Sequence, residues 1–311
     1  MMGRPEFGVM LRQQKIDFEE IKATAQLCDS TGYDSVWFYD HVLGQGIIGI
    51  DIYEPWTLMS ALSTVTENVK LGTMVLCNLF RHPPLLAKMA STLDVISNGR
   101  VEFAIGAGWF EEEFHAYGYD FPKMKERMEM LKEAAQILKL MWTDETASFV
   151  GRHYKVENAP CNPKPVQRPH IPVCIGGSGE KLLLRIVAEL ADEWNCPASS
   201  AIDFDRKYSI LQGHCEGVGR NVEDITISQQ TVCVLVESGK ELPEKLEKAQ
   251  RRYGFFGNIE KLGIVGTPED CVEKISADIE KGISKYTIFF SDVMNPETIK
   301  LFAKEVIPEF R

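Results

Sequence analysis

Short apolar runs and amphipathic stretches alternate along the chain from one end to the other. The runs FGVML (7–11), SVWFYD (35–40), KLGTMVL (70–76), VEFAIGA (101–107), IPVCIGG (171–177), EWNCPA (193–198), ITISQQTVCVLV (225–236) and KYTIFF (285–290) are rich in Val, Ile and Phe. Nearly continuous apolar runs of this length predict strands buried on both faces. Helices are predicted between them over 17–31, 55–66, 83–97, 123–141, 179–191, 203–218 and 267–281, with a last one near 296–307. The clearest helix start is Thr267-Pro268-Glu269-Asp270, which offers a capping hydroxyl, a proline at the first position and acids in the first turn.

Eight strands, each followed by a helix, predict an α/β chain folded as a (β/α)8 barrel. A doubly wound sheet is the rival, but it needs a glycine fingerprint after the first strand. Residues 12–17 contain no glycine. The expectation is one barrel domain over 1–311 with three insertions. Residues 108–122 follow strand four, 146–165 form a small hairpin before strand five, and 237–266 follow strand seven. The last carries RRYGFFGNIEKLG and is expected on the substrate side, as a lid or wall that includes Phe255 and Phe256.

Composition narrows the partners. The chain has 34 Lys and Arg against 45 Asp and Glu, a net charge of −11, with no long basic tract. Nucleic acid is excluded, because that binding needs clustered cations to displace counterions. No apolar run approaches the roughly 20 residues needed to span a bilayer, and the first residues lack the apolar core of a secretory signal. The eight cysteines form no CxxC pair, and the six histidines show no HxxxH or HExxH spacing. Buried, reduced thiols, no metal and a cytoplasmic location are expected. A small molecule is the remaining kind of partner.

In a barrel of this kind the chemistry sits where the strands end. Strand five runs into Gly176-Gly177-Ser178-Gly179, followed by Lys181. Unhindered N–H groups, a hydroxyl and a helix terminus make this turn a candidate phosphate site, although the glycines also serve as a tight turn. Gly106-Ala107-Gly108 at the end of strand four would let a flat ring approach the backbone, or merely turn the chain into the aromatic loop. Asp40-His41 ends strand two and pairs an acid with a group suited to proton transfer near neutrality; a loop-capping histidine is the alternative. Arg81, before Pro83-Pro84, either faces the site or serves the helix start. No GxSxG elbow supports a serine hydrolase, and only one strand-end acid is clearly placed for a glycosidase.

The segments WFYDHV, LGTMVLCNLFRHPPLLAKMASTLDVISNGRVEFAIGAGWFEEEF, IPVCIGGSGEK and IVGTPEDCVEKI resemble the luciferase-like monooxygenase superfamily, and within it the branch using the deazaflavin coenzyme F420. The resemblance implies a homodimeric barrel oxidoreductase that moves hydride between F420 and a small organic substrate. An FMN-dependent monooxygenase and a non-catalytic flavin-binding barrel remain alternatives. It also implies that Asp40 and His41 lie beside the ring, with His41 as the acid. Met74-Val75 would form a non-prolyl cis peptide behind the ring, Gly106, Ala107 and Gly108 would follow the ring and its side chain, and Gly176 to Gly179 would hold the phosphate. Deazaflavin sugar-phosphate dehydrogenases place a proton-donating Glu after the equivalent of Gly108. Here that position is Trp109, which argues against a sugar phosphate and makes Trp109 a pocket wall. Glu111 to Glu113 read as a helical or loop acid cluster, with Glu113 structural.

Overall fold

The computed structural model describes residues 4–44, 49–197, 199 and 203–311. Eight parallel strands, numbered one to eight, close on themselves: Glu6–Met10, Ser35–Phe38, Lys70–Thr73, Val101–Gly106, Val173–Gly176, Glu193–Pro197, Thr226–Leu235 and Ile283–Phe290. Closure is direct. Gly8 pairs with Thr287, Thr287 with Gln230, and Gln230 with Pro197. The predicted barrel is the observed fold.

Each strand buries both faces, which is why the sequence carries unbroken apolar runs there. Phe7, Val36, Phe38, Phe103, Ile105 and Ile175 face the surrounding helices and form the main core. Inside the barrel, Met10, Trp37, Met74, Ala104 and Cys174 make a separate cluster. Trp37 fills that interior only because two neighbours lack side chains. A Cβ on Gly8 would lie 2.3 Å from its indole nitrogen, and one on Gly72 would lie 2.7 Å from its ring. Near the strand starts the interior turns ionic. Lys285 Nζ donates to Glu102 (2.7 Å) and Glu193 (2.9 Å), and Lys70 also pairs with Glu102.

The boundaries differ from expectation where the local backbone departs from regular structure. Strand three stops at Thr73, and after a cis peptide between Met74 and Val75 a short piece, Leu76–Cys77, resumes pairing with strand four. The helix expected from residue 179 begins only at Leu183, because the glycine-rich turn runs on to Leu182. Residue 198, the last expected in strand six, lies outside the described residues. Thr267 caps its helix with a reciprocal capping box, as its sequence promises.

The three insertions take defined shapes. The segment after strand four forms the helix Glu111–Tyr117, and 146–165 contains an antiparallel hairpin of Thr146–Val150 with Lys155–Pro160. In 237–266 the helix Leu242–Tyr253 leads to Ile264–Gly266, which pairs along the outside of strand seven. All eight cysteines are buried free thiols. Among the described residues no helix is long and apolar enough to cross a membrane, and no cluster of three potential ligands is arranged for a metal.

Candidate active site

The strand ends surround a cavity of about 840 Å³ that runs from His41 and Trp109, past Val75 and Ala107, to the turn at 176–182. A second cavity of about 460 Å³ adjoins it, sharing Tyr39, His41, Met74, Trp109 and Gln230. His41 therefore stands where the two meet.

His41 is fixed by a residue that the sequence alone leaves in an acid cluster. Its Nδ1 lies 2.8 Å from Glu113 Oε2. A carboxylate only accepts, so Nδ1 carries the proton and donates it. The other oxygen of Glu113 accepts from the backbone N–H groups of Val42 and Leu43, the latter at 2.8 Å. Glu113 is 1% exposed, while Glu111 and Glu112, earlier in the same short helix, face solvent. Three contacts to one buried carboxylate thus lock both the imidazole and the loop that follows it. The expectation that Glu113 is merely part of an acid cluster is corrected: it is a positioning residue for His41.

Asp40 also needs correction. It does not pair with His41. Its carboxylate accepts two hydrogen bonds from Arg81, at 2.7 and 3.0 Å, and one from the Cys77 N–H at 2.7 Å. Arg81 continues to Glu54 at 2.6 Å. Burial opposes the charge of Arg81, but Asp40 and then Glu54 outweigh it and hold its pKa above the ordinary value. Burial and the Asp40 charge together push the Cys77 thiol up to about 12. Asp40 acts as a brace between strand two and the segment after the cis peptide, with its side chain fully engaged. The same contacts place Arg81 in this brace.

The glycines at the strand ends answer to a neighbour within the protein. A Cβ on Gly106 would lie 2.7 Å from one methyl of Val75, and a Cβ on Gly176 would lie 2.7 Å from the other. Val75 thus rests across the ends of strands four and five and becomes the cavity floor. Gly108 has φ +77°, and its carbonyl accepts from Arg127 at 2.8 Å. Ala107 and Gly108 line the cavity beside Val75.

At the far end, Gly177 has φ +127° and gives its N–H to the Asn195 carbonyl at 3.1 Å. The N–H groups of residues 178–181 have no such acceptor among the described residues. Gly177 makes the turn, and the donors lie one to four residues later. Lys207, buried beneath the turn, donates to the Ser178 carbonyl at 3.2 Å and to Glu180 at 3.4 Å. Gly179, Lys181 and Leu182 are exposed.

Trp109 is 64% exposed, yet it stacks on Phe110 with ring centroids 5.3 Å apart and meets His41 edge-on at 5.6 Å. It borders both cavities. Phe256 is buried and Phe255 is 71% exposed; both line the second cavity with Tyr253, so the 237–266 insertion supplies one of its walls.

A chain built this way is an oxidoreductase of the flavin- and deazaflavin-dependent kind. It belongs to the luciferase-like monooxygenase family, whose sequence pattern matches residues 2–260. An uncharacterized protein of Mycobacterium tuberculosis is 30% identical, covering 85% of this chain and 92% of that one. The F420-dependent glucose-6-phosphate dehydrogenase of Amycolatopsis mediterranei is 24% identical, over 91% of this chain and 92% of its own. An FMNH(2)-dependent dimethylsulfone monooxygenase of Pseudomonas putida is 25% identical, over 95% and 88%. Among solved structures, the coenzyme F420-dependent tetrahydromethanopterin reductase of Methanopyrus kandleri superposes with a TM-score of 0.81 at 21% identity, covering 99% of this chain and 100% of that one.

Proposed function

We propose that the protein is a coenzyme F420-dependent oxidoreductase that transfers hydride between the deazaflavin and a small organic substrate. One observation carries this reading: a single cavity joins a histidine held by a buried carboxylate to a turn whose backbone donors are unclaimed. The donor set suits a phosphate at 178–181, with Ser178 and Lys181 adding a hydroxyl and a positive charge. The apolar surfaces of Val75, Met74 and Ala107 suit a flat ring at the other end. Because Gly179, Lys181 and Leu182 are exposed, a cofactor chain that continues beyond the phosphate can pass into water. That feature favours the deazaflavin, with its acidic tail, over FMN.

When bound, the deazaflavin supplies two-electron hydride chemistry. The protein supplies position and proton control. A substrate oxidised here loses hydride from carbon and a proton from its hydroxyl or amine, and His41 takes that proton at Nε2, since Nδ1 is committed to Glu113. In the reducing direction His41 returns it. Trp109, Phe255 and Phe256 enclose the substrate and limit the water around the transfer.

Titration of the purified protein with F420 and, separately, with FMN tests the reading by absorbance and fluorescence. F420 is expected to bind at least about tenfold more tightly, a difference of about 1.4 kcal/mol. A clear preference for FMN moves the assignment to a monooxygenase, and binding of neither removes the class.

Gly177→Val is expected to raise the Kd for cofactor by about tenfold or more, with little change in turnover at saturation. At φ +127° a side chain is strained by about 1–3 kcal/mol, and its Cβ would meet Leu183 at 2.8 Å. The turn relaxes and carries the 178–181 donors with it. Phosphate contacts are present in ground and transition states alike, so the loss falls on binding. An unchanged Kd in the same titration places the phosphate elsewhere on the rim.

A further inference from the structure

The second cavity has a polar end that the hydride reading leaves unused. Arg12, at the end of strand one, and Arg252, from the insertion after strand seven, both line it. Among the described residues neither guanidinium forms an ion pair, in a chain with 45 acids and 34 bases. Arg252 reaches only the Ser291 carbonyl, at 3.5 Å, and the backbone N–H of Arg12 is fixed on Met294 Sδ at 3.0 Å. Both charges act on the same buried phenol. Burial raises the pKa of Tyr253, and Arg252 and Arg12 pull it back. The nearby acid, Asp292, is bonded to the Thr298 hydroxyl instead. Gln14 lines the same cavity, and its Oε1 is buried without a hydrogen-bond partner. Opposite this polar end stand rings: Phe256 and Phe289 have centroids 5.3 Å apart, and Tyr253 and Phe289 are 5.7 Å apart.

Two cations without acidic partners, an orphaned amide and an aromatic wall describe one kind of ligand. We infer that the second cavity selects an organic acid, with its carboxylate held between Arg12 and Arg252, its apolar body against Phe256 and Phe289, and its reacting carbon directed to His41. The inference rests on the hydride-transfer reading for what happens at His41, but the anion site itself does not require a bound cofactor. Guanidinium groups suit this task because their planar donors match a carboxylate and stay charged at any physiological pH.

Benzoate and its neutral counterpart benzamide are suitable probes, titrated calorimetrically into the full chain with and without F420. Benzoate is expected to bind at least about tenfold more tightly, as one charge-assisted contact of about 1.5–3 kcal/mol implies. R12Q/R252Q should bind the two probes equally, whereas R12K/R252K should keep most of the preference. Equal affinities in the unmodified protein overturn the proposal, as do failure of benzoate to bind and a preference that survives in R12Q/R252Q. If F420 fails to bind while the arginine-dependent preference for benzoate holds, the hydride reading falls and the acid site stands. If F420 binds and the preference is absent, the reverse follows.

Discussion

His41→Ala is expected to lower turnover by about 10²–10⁴-fold, the range associated with loss of a general acid or base, while cofactor affinity falls far less. The imidazole stands where the two cavities meet, so its partner is the group that gains or loses a proton as hydride moves. Such an interaction differs between ground and transition state and therefore appears in kcat. The fixed geometry adds to the effect: with Nδ1 bound to Glu113, the ring cannot swing away between turnovers. Steady-state kinetics at saturating cofactor measure the change. Near-normal turnover would reduce His41 to a loop cap, and a matching collapse of cofactor binding would make it a ring-binding residue with no proton role.

The second large effect concerns stability. Lys285→Ala should destabilise the fold by about 3–5 kcal/mol, the cost of stranding buried charge by removing its partner. Lys285 is 5% exposed and bridges Glu102 and Glu193 inside the barrel. Urea unfolding should show a lower midpoint with little change in slope. The acid limb offers a second readout. Burial tends to raise the carboxyl of Glu102, but Lys285 and then Lys70 outweigh it and hold its pKa at about 2. An acid with a depressed folded-state pKa contributes stability that is complete above its unfolded value, about 4.3, and is lost as pH falls through 2. The intact protein should therefore lose stability between roughly pH 4 and 2 more steeply than Lys285→Ala. A variant as stable as the parent would mean that water reaches this layer.

The barrel was legible because strands buried on both faces leave unbroken apolar runs, and the eighth run is as clear as the first. Helix starts with chemical caps, such as Thr267, were equally readable. The start at Leu183 was not, since a glycine-rich turn has no periodicity to mark where it ends. At the site, His41 and the 176–179 turn lie at strand ends, where a barrel's chemistry collects. Asp40 misled for a geometric reason: successive residues along an extended chain point to opposite sides, so a sequence neighbour of His41 is poorly placed to serve it. The true partner, Glu113, comes from another βα unit. Among three consecutive glutamates only the helix face decides which is buried, and the sequence marks that face only through the adjacent Phe114. Arg12 and Arg252 carry no local signal at all, because only the closed barrel brings them to one cavity.

Val75 resting on Gly106 and Gly176 has a consequence for redesign. Side chains from three different strand ends meet in one steric unit, so the cavity floor cannot be edited one position at a time. An alanine at 106 or 176 demands the space that a methyl of Val75 already fills. Removing that methyl first opens a hollow under the ring site. Compatible changes therefore come in sets, with volume added at one strand end and withdrawn at another. A library that varies these three positions jointly samples floors of different height, whereas single-site scanning registers only defects.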